Sequence, residues 1–245
     1  NNNNNNNNNN NFCSAEKDLV LQDAHIINFS LHFMNDLLRN MLDMQRASSN
    51  QLQLHESPTN LWNDVLQPVD TMLYQRGDHS LDTKIIVECP KELHILGDKL
   101  RLKQVLLNLG RNAAKFVTQP GGFIRFKAEV VVVVVIAEDG SSSSTKKNVR
   151  ISVEDSGPGI PLEKRPLLFT KFQESLDSLH QGTGIGLCLC QRLVQLMKAT
   201  LVLDESYHSG IEGCPGARFV LQLNQPPLED DDDDWWLEQQ QQQQQ

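Results

Sequence analysis

The sequence predicts an α+β fold, a two-layer sandwich with helices on one side of a sheet, preceded by a long amphipathic helix. Apolar periodicity switches between the helical and the strand repeat in the order helix, strands, helix, hairpin, helix, hairpin. Strands joined mainly as hairpins disfavour a doubly wound parallel sheet. The tracts unable to bury apolar surface, Asn1–Asn11, Asp230–Asp234 and Gln239–Gln245, lie at the two ends of the 245-residue chain. The expected divisions are therefore an Asn-rich stretch at 1–18, a lone helix with its junction at 19–50, a folded body at 51–226 and an acidic, Gln-rich tail at 227–245.

From Leu19 to Arg46 there is no Gly or Pro, and Ile27, Leu31, Met34, Leu38 and Met41 recur at steps of four and three. That is the seam of a helix that packs on another helix. No second long helix precedes it, so the expected partner comes from another subunit or from a segment outside this chain. Leu52 and Leu54 alternate as in a short strand, and Ser57-Pro58-Thr59-Asn60 opens a helix from Leu61 to about Arg76, which Pro68 should kink or shorten. Lys84–Cys89 and Glu92–Leu96 read as short strands divided by Pro90, and a helix runs from about Asp98 to Val117.

Phe123–Ile136 and Asn148–Asp155 follow as strands joined by the polar loop Glu138–Lys147. The first contains six consecutive valines, Val130–Val135, an aggregation hazard that Lys127, Glu129, Glu138 and Asp139 flank as gatekeepers. A Gly-rich turn, a helix from Gly186 to Lys198, a strand from Thr200 to Asp204 and a last strand with Ala217, Phe219, Leu221 and Leu223 on one face complete the pattern.

Composition removes several classes of function. The formal net charge is −9, but Glu229–Asp234 and Glu238 supply −7 of it, leaving −2 for the remainder. A nearly neutral body argues against a basic nucleic-acid groove. The longest apolar run, Val130–Ala137, has eight residues, whereas a spanning helix needs about 20. Membrane attachment would have to come from a segment outside this chain. Five cysteines without a CxxC spacing suit a reduced intracellular, cytoplasmic setting. Cys188 and Cys190, two apart on a helix, point in different directions and read as packing rather than metal ligands.

Three segments could carry chemistry. On the helix from Asp98 to Val117, Gln104, Asn108, Arg111, Asn112 and Lys115 share one face, while Leu102, Val105, Leu106, Leu109, Ala113 and Phe116 fill the other. An ordinary solvated face would explain this, except that Asn108 and Asn112 are poor helix formers and Gly110 lies between them. Asn oxygens one turn apart can coordinate Mg²⁺ or hold a water, and Lys115 can meet a phosphate. Asp155-Ser156-Gly157-Pro158-Gly159-Ile160 is either plain turn chemistry or a carboxylate placed to accept from an exocyclic amine, with glycines admitting a flat ring. Gly182-Thr183-Gly184-Ile185-Gly186-Leu187 opens a helix, where freed backbone N–H groups and the helix terminus can cradle phosphate. Its spacing fits neither a dinucleotide fold nor a P-loop.

Together and in this order, these segments resemble the signature of sensor histidine kinases. Asn108 to Phe116 is similar to their N box, Asp155 to Ile160 to the first glycine box, Leu168-Phe169-Thr170-Lys171-Phe172-Gln173 to the F box, and Gly182 to Leu187 to the second glycine box. The likeness covers about Leu52 to Leu223. It implies the two-layer ATPase fold shared with type II topoisomerases and heat-shock-90 proteins, ATP and Mg²⁺ as cofactors, and transfer of the γ-phosphate to a histidine. By the same resemblance 51–226 is the ATP-binding domain, and the 19–46 helix is part of a dimerisation domain that makes a homodimer. A response regulator or receiver domain is then the implied partner.

Residue by residue, the resemblance implies that Asn112 coordinates Mg²⁺, Asp155 binds the adenine amine and Lys115 contacts phosphate. Gly157 and Gly159 would shape the adenine pocket. Phe172, Gly182, Thr183, Gly184, Gly186 and Leu187 would line the nucleotide beneath a lid at about Thr170–Gln181. Asn108 stands where related ATPases carry a general-base Glu. An amide cannot take that proton, which favours transfer to a side chain over hydrolysis. The chain departs from the pattern at the acceptor: His25 and His32 lack the adjoining carboxylate of the family's acceptor box. An inactive ATP-binding regulatory or dimerisation module is the alternative.

Overall fold

The computed structural model describes residues 51–76, 83–136, 143–169 and 185–224, with a subset of positions from 20 to 49. The described residues between 20 and 47 are helical, here called α1. The chain divides into two compact units, Asn1–Gln45 and Arg46–Gln245. In the first, Ile27, Leu31, Met34, Leu38 and Met41 are all exposed. The apolar stripe of the sequence is thus a bare stripe on that unit.

The second unit begins with β1 (Ser57–Asn60), a π-helical turn (Leu61–Leu66) and α2 (Gln67–Arg76). It continues with β2 (Lys84–Glu88), β3 (His94–Gly97), α3 (Lys99–Phe116), β4 (Phe123–Ile136) and β5 (Ser143–Asp155). A 3₁₀ turn (Leu162–Leu167), α4 (Ile185–Leu196), β6 (Thr200–Leu203) and β7 (Ala217–Leu223) complete it. β1 and β3 form a two-stranded sheet, and the other five strands form one sheet in the order β2-β4-β5-β7-β6. α3 packs against β4 and β5, α4 beside β6, and α2 beside β2. Ile124, Phe126, Val149, Ile151, Val153 and Leu221 project from the sheet into the buried layer between them.

Several boundaries differ from the sequence reading, each for a physical reason. Leu52 and Leu54 are not in a strand. That segment is held by backbone donation from Gln51 and Leu52 to the Arg46 carbonyl and by the His55 N–H to Asp98 Oδ2 at 2.9 Å. Pro68 neither ends nor breaks its helix, because the wider π turn precedes it and α-helical spacing starts at Gln67. Asn60 caps this helix, its Oδ1 accepting from Asn63 N at 2.8 Å. β2 and β3 do not pair with each other. β3 joins β1, and β2 lies parallel to β4, a crossover that makes the sheet mixed. β5 starts at Ser143, five residues before the expected Asn148.

The opposite face of the sheet is polar. Glu88, Arg125, Glu154, Arg218 and Asp204 form an alternating row of charges across the strands, with Arg125 3.2 Å from Glu88 and 3.1 Å from Glu154, and Arg218 joining Glu154 to Asp204. One sheet face is therefore core and the other is salt-bridged.

Candidate functional site

α3 is the axis of the site. Asp98 caps it, Oδ1 accepting from Leu100 N at 3.0 Å and Arg101 N at 3.1 Å. Leu102, Val105, Leu106, Leu109 and Ala113 are buried as expected, and so are Leu107, Gly110 and Ala114, since α3 is held between the sheet, α2 and α4. Gly110 has a packing reason: a Cβ there would lie 2.8 Å from both Leu73 Cδ1 and Phe126 Cζ. Phe116, placed on the apolar face by periodicity, is exposed, with the Lys115 ammonium 5.5 Å from its ring. It is the last residue of the helix, where the facing layer has ended. Partial burial lowers the Lys115 pKa.

At the C-terminal end of α3 sits the Asp155 turn. Asp155 ends β5 and is 8% exposed; its Oδ1 accepts from Gly157 N at 2.8 Å and Ala217 N at 3.2 Å. Burial raises its pKa to about 6, with these two N–H groups pulling the other way. Oδ2 makes no hydrogen bond to a described residue, so one carboxylate oxygen is fixed and the other is available to a donor. Gly157 lies against α3: a Cβ there would approach the Phe116 carbonyl to 3.3 Å. Gly159, at φ +76°, packs under Pro215.

A second layer holds this turn, and the sequence reading missed it. Gly216 N donates to the Gly157 carbonyl at 2.9 Å, and at φ +72° its own Cβ position falls 2.1 Å from the Asp155 carbonyl oxygen. Only glycine permits that approach. The Tyr207 hydroxyl donates to the same Asp155 carbonyl at 3.3 Å. Burial, then Glu154 and Asp155, push this phenol up to about 12, so it stays a donor at neutral pH. On the other flank Ser156 Oγ accepts from Phe123 N at 2.8 Å, and Gln119 Nε2 donates to the Ser156 carbonyl. The available signal was the turn-rich run Ser209, Gly210, Gly213, Pro215, Gly216, which periodicity alone leaves as a loop.

Two turns back along α3, about 12 Å at 1.5 Å per residue, Asn108 faces the start of α4. A Cβ built on Gly186 would find Asn108 Cγ, at 4.0 Å, as its nearest neighbour. The Asn108 amide nitrogen is buried and makes no well-formed hydrogen bond among the described residues, its nearby polar neighbour being the weakly accepting Cys190 sulfur. Beneath it Cys190 Sγ bonds to the Val105 carbonyl at 3.8 Å. Burial drives that thiol up to about 12, making it inert packing, as its position in the sequence suggested. Asn112 lies half-buried between the two ends, and Leu187 is half-buried in the first turn of α4.

The structure thus brings Asp155, Gly157 and Gly159 to one end of α3, Gly186 and Leu187 beside Asn108, and Asn112 and Lys115 along the span between. Phe172, Gly182, Thr183 and Gly184, and the expected lid at 170–181, lie outside the described residues. Of the Leu168-to-Gln173 segment, Phe169 is described and meets Phe219 of β7 edge-on at 6.3 Å.

Known proteins resemble this chain in sequence and in fold. The chain is 34% identical over 161 residues to the adaptive-response sensory kinase SasA of Synechococcus elongatus, an alignment covering 65% of this chain and 38% of that protein. It is 31% identical over 198 residues to the sensor histidine kinase GacS of Pseudomonas protegens, covering 79% of this chain and 20% of that protein. The chain thus spans well under half of these relatives. Among solved structures, full-length ShkA in complex with AMPPNP superposes with a TM-score of 0.56 at 26% identity, over 79% of this chain and 36% of that one. Residues 97–227 match the family described as histidine kinase-, DNA gyrase B-, and HSP90-like ATPase. A buried carboxylate turn and an amide-bearing helix, joined by an α+β framework, belong here to a member of that family, and the chain carries its ATP-binding catalytic domain.

Proposed function

We propose that this chain binds Mg-ATP and transfers the γ-phosphate to a histidine supplied by a segment outside it, as the catalytic part of a two-component sensor histidine kinase. The observation that carries the reading is the half-used Asp155 carboxylate: one oxygen locked by two backbone N–H groups, the other free, at the end of a helix that carries the Asn108 amide two turns back. Adenine fits the first by donating its exocyclic amine. Gly157 and Gly159 let the turn pack closely on Phe116 and Pro215 beside that carboxylate. Gly186 and Leu187 at the start of α4 would face the phosphates, and the resemblance assigns Phe172, Gly182, Thr183 and Gly184, outside the described residues, to the same pocket.

Among the described residues no group of three His, Cys, Asp or Glu side chains converges on a metal position. Asn112 would hold Mg²⁺ in the manner usual for that ion, by one protein oxygen together with phosphate and water. The ion would neutralise phosphate charge. Lys115 adds a positive point charge. Asn108 orients without accepting a proton, so water is a poor nucleophile at this site and an imidazole brought to it is preferred.

The division of the chain follows: an Asn-rich segment at 1–18, a partial dimerisation helix at 19–50, the ATP-binding domain at 51–226 and an acidic tail at 227–245. The exposed stripe Ile27, Leu31, Met34, Leu38 and Met41 suits homodimerisation. A response regulator or receiver domain is the downstream acceptor, and the cytoplasmic side is the compartment in which ATP is available. No helix among the described residues is long and apolar enough to cross a membrane. The test is incubation with γ-labelled ATP, alone and with a separate dimerisation helix carrying an acceptor His. Acid-labile label on that helix is the expected result. Nucleotide binding without label under both conditions would overturn phosphotransfer.

A further inference from the structure

β4 and β5 run in register for thirteen residue pairs, from Ile124 with Asp155 to Ile136 with Ser143, but their neighbours stop early. β2 accompanies β4 only as far as Lys127, and β7 accompanies β5 only back to Val149. Beyond these points the hairpin is a two-stranded arm, neither edge of which pairs with another strand among the described residues. The helical layer does not cover it either: Val130 is 41% and Val132 64% exposed, although they continue the face on which Ile124, Phe126 and Ala128 are buried.

The two edges of the arm differ. On β5, Lys146 and Lys147 stand exposed opposite Val133 and Val132, and charged side chains on an edge oppose further pairing. On β4, Val130 to Ile136 carry no charge. Glu129, the last gatekeeper before them, is engaged by Lys127 at 2.6 Å and Arg150 at 3.7 Å. The β4 edge is therefore a seven-residue template, about 23 Å long, with nothing to repel another strand.

We propose that the β4 edge of this arm is a self-association surface, and that its occupant is the same edge of a second copy of this chain, paired antiparallel about a two-fold axis. A valine run is complementary to itself in several registers, so β-branched residues face one another along the pairing. The four-stranded ribbon would read β5, β4, β4, β5, with valines at its centre. The lysine-bearing strands are then three strand spacings apart, about 14 Å, beyond the screening length of physiological salt at about 8 Å. Pairing β5 to β5 would instead bring the lysines face to face. The surface is remote from Asp155 and α4 in the sheet register and does not depend on the nucleotide reading.

Sedimentation equilibrium on the full chain tests it, in a background where Leu31→Asp and Leu38→Asp remove association through the α1 stripe. That background should show a reversible, concentration-dependent monomer–dimer equilibrium. Adding Val132→Lys, or separately Val130→Lys, should weaken it at least tenfold with circular dichroism unchanged; both positions are exposed, so the fold loses little. A monomer at every concentration, a dimer indifferent to both lysine variants, or aggregates that do not dissolve on dilution would each overturn the proposal.

Discussion

Two polar groups along α3 are held in opposite ways, Asp155 at its C-terminal end and Asn108 at its middle. At the Asp155 end every supporting contact is already made: two backbone donors on one oxygen, Tyr207 and Gly216 on the main chain, Gln119 and Ser156 on the flank. At Asn108 a buried amide nitrogen makes no well-formed hydrogen bond among the described residues. The Asp155 turn is thus preorganised by the fold, and the Asn108 region is not; on the proposed reading, ordering by nucleotide is expected at α4 rather than at the turn.

The sharpest way to break the preorganised end is Gly216→Ala. Its Cβ would collide with the Asp155 carbonyl in a left-handed backbone, costing about 3 kcal/mol or more in urea unfolding. Gly213→Ala, at φ +73° with nothing within 4 Å, should cost only about 1 kcal/mol. Equal losses would mean the Asp155 turn is not held from behind.

Next in size, Asp155→Asn should weaken ATP by about 2–3 kcal/mol, roughly 30- to 150-fold, because an ionised acceptor is lost. The same change should stabilise the nucleotide-free protein. Asp155 has its pKa raised to about 6 from 3.8, so the folded state binds the extra proton and the charge opposes folding increasingly as pH rises through that window. At pH 7 the relief is at most about 3 kcal/mol, read as a rise in melting temperature that vanishes below pH 4. In the native protein, ATP affinity measured by calorimetry should fall as pH drops through 6.

Along α3 itself effects should be smaller and depend on the metal. Asn112→Ala should weaken Mg-ATP about tenfold yet leave metal-free ATP unchanged, which titrations in magnesium and in chelator will separate. Lys115→Gln should cost about 1 kcal/mol at low salt, and less as added salt screens it.

Much of this was legible in the sequence because it is local. Asp98 announces α3, Gln119 to Gly122 ends the helical pattern, and strict alternation marks β5 and β7. The long-range features were not. Nothing local distinguishes β2 joining β4 in parallel from β2 pairing with β3. Leu52 is buried and Leu54 half-buried, in a segment assigned to no strand. Gly110 looked like part of a functional pattern, whereas its reason lies on α2 and β4, 37 residues before it and 16 after it at Leu73 and Phe126. Of the proposed site, residue types and spacing singled out the Asp155 turn, Asn108 and Asn112. The supporting loop through Tyr207 and Gly216 was hidden because its partner is some 50 to 60 residues away.

The register of the β4–β5 hairpin also sets the order in which the domain assembles. Its thirteen pairs close a single short loop, so they demand little chain entropy and form early. β2 must wait for β3 and α3 to pass before its parallel place beside β4 exists. Its amides are therefore expected to gain protection later than those of β4 and β5 in pulse-labelling hydrogen exchange during refolding.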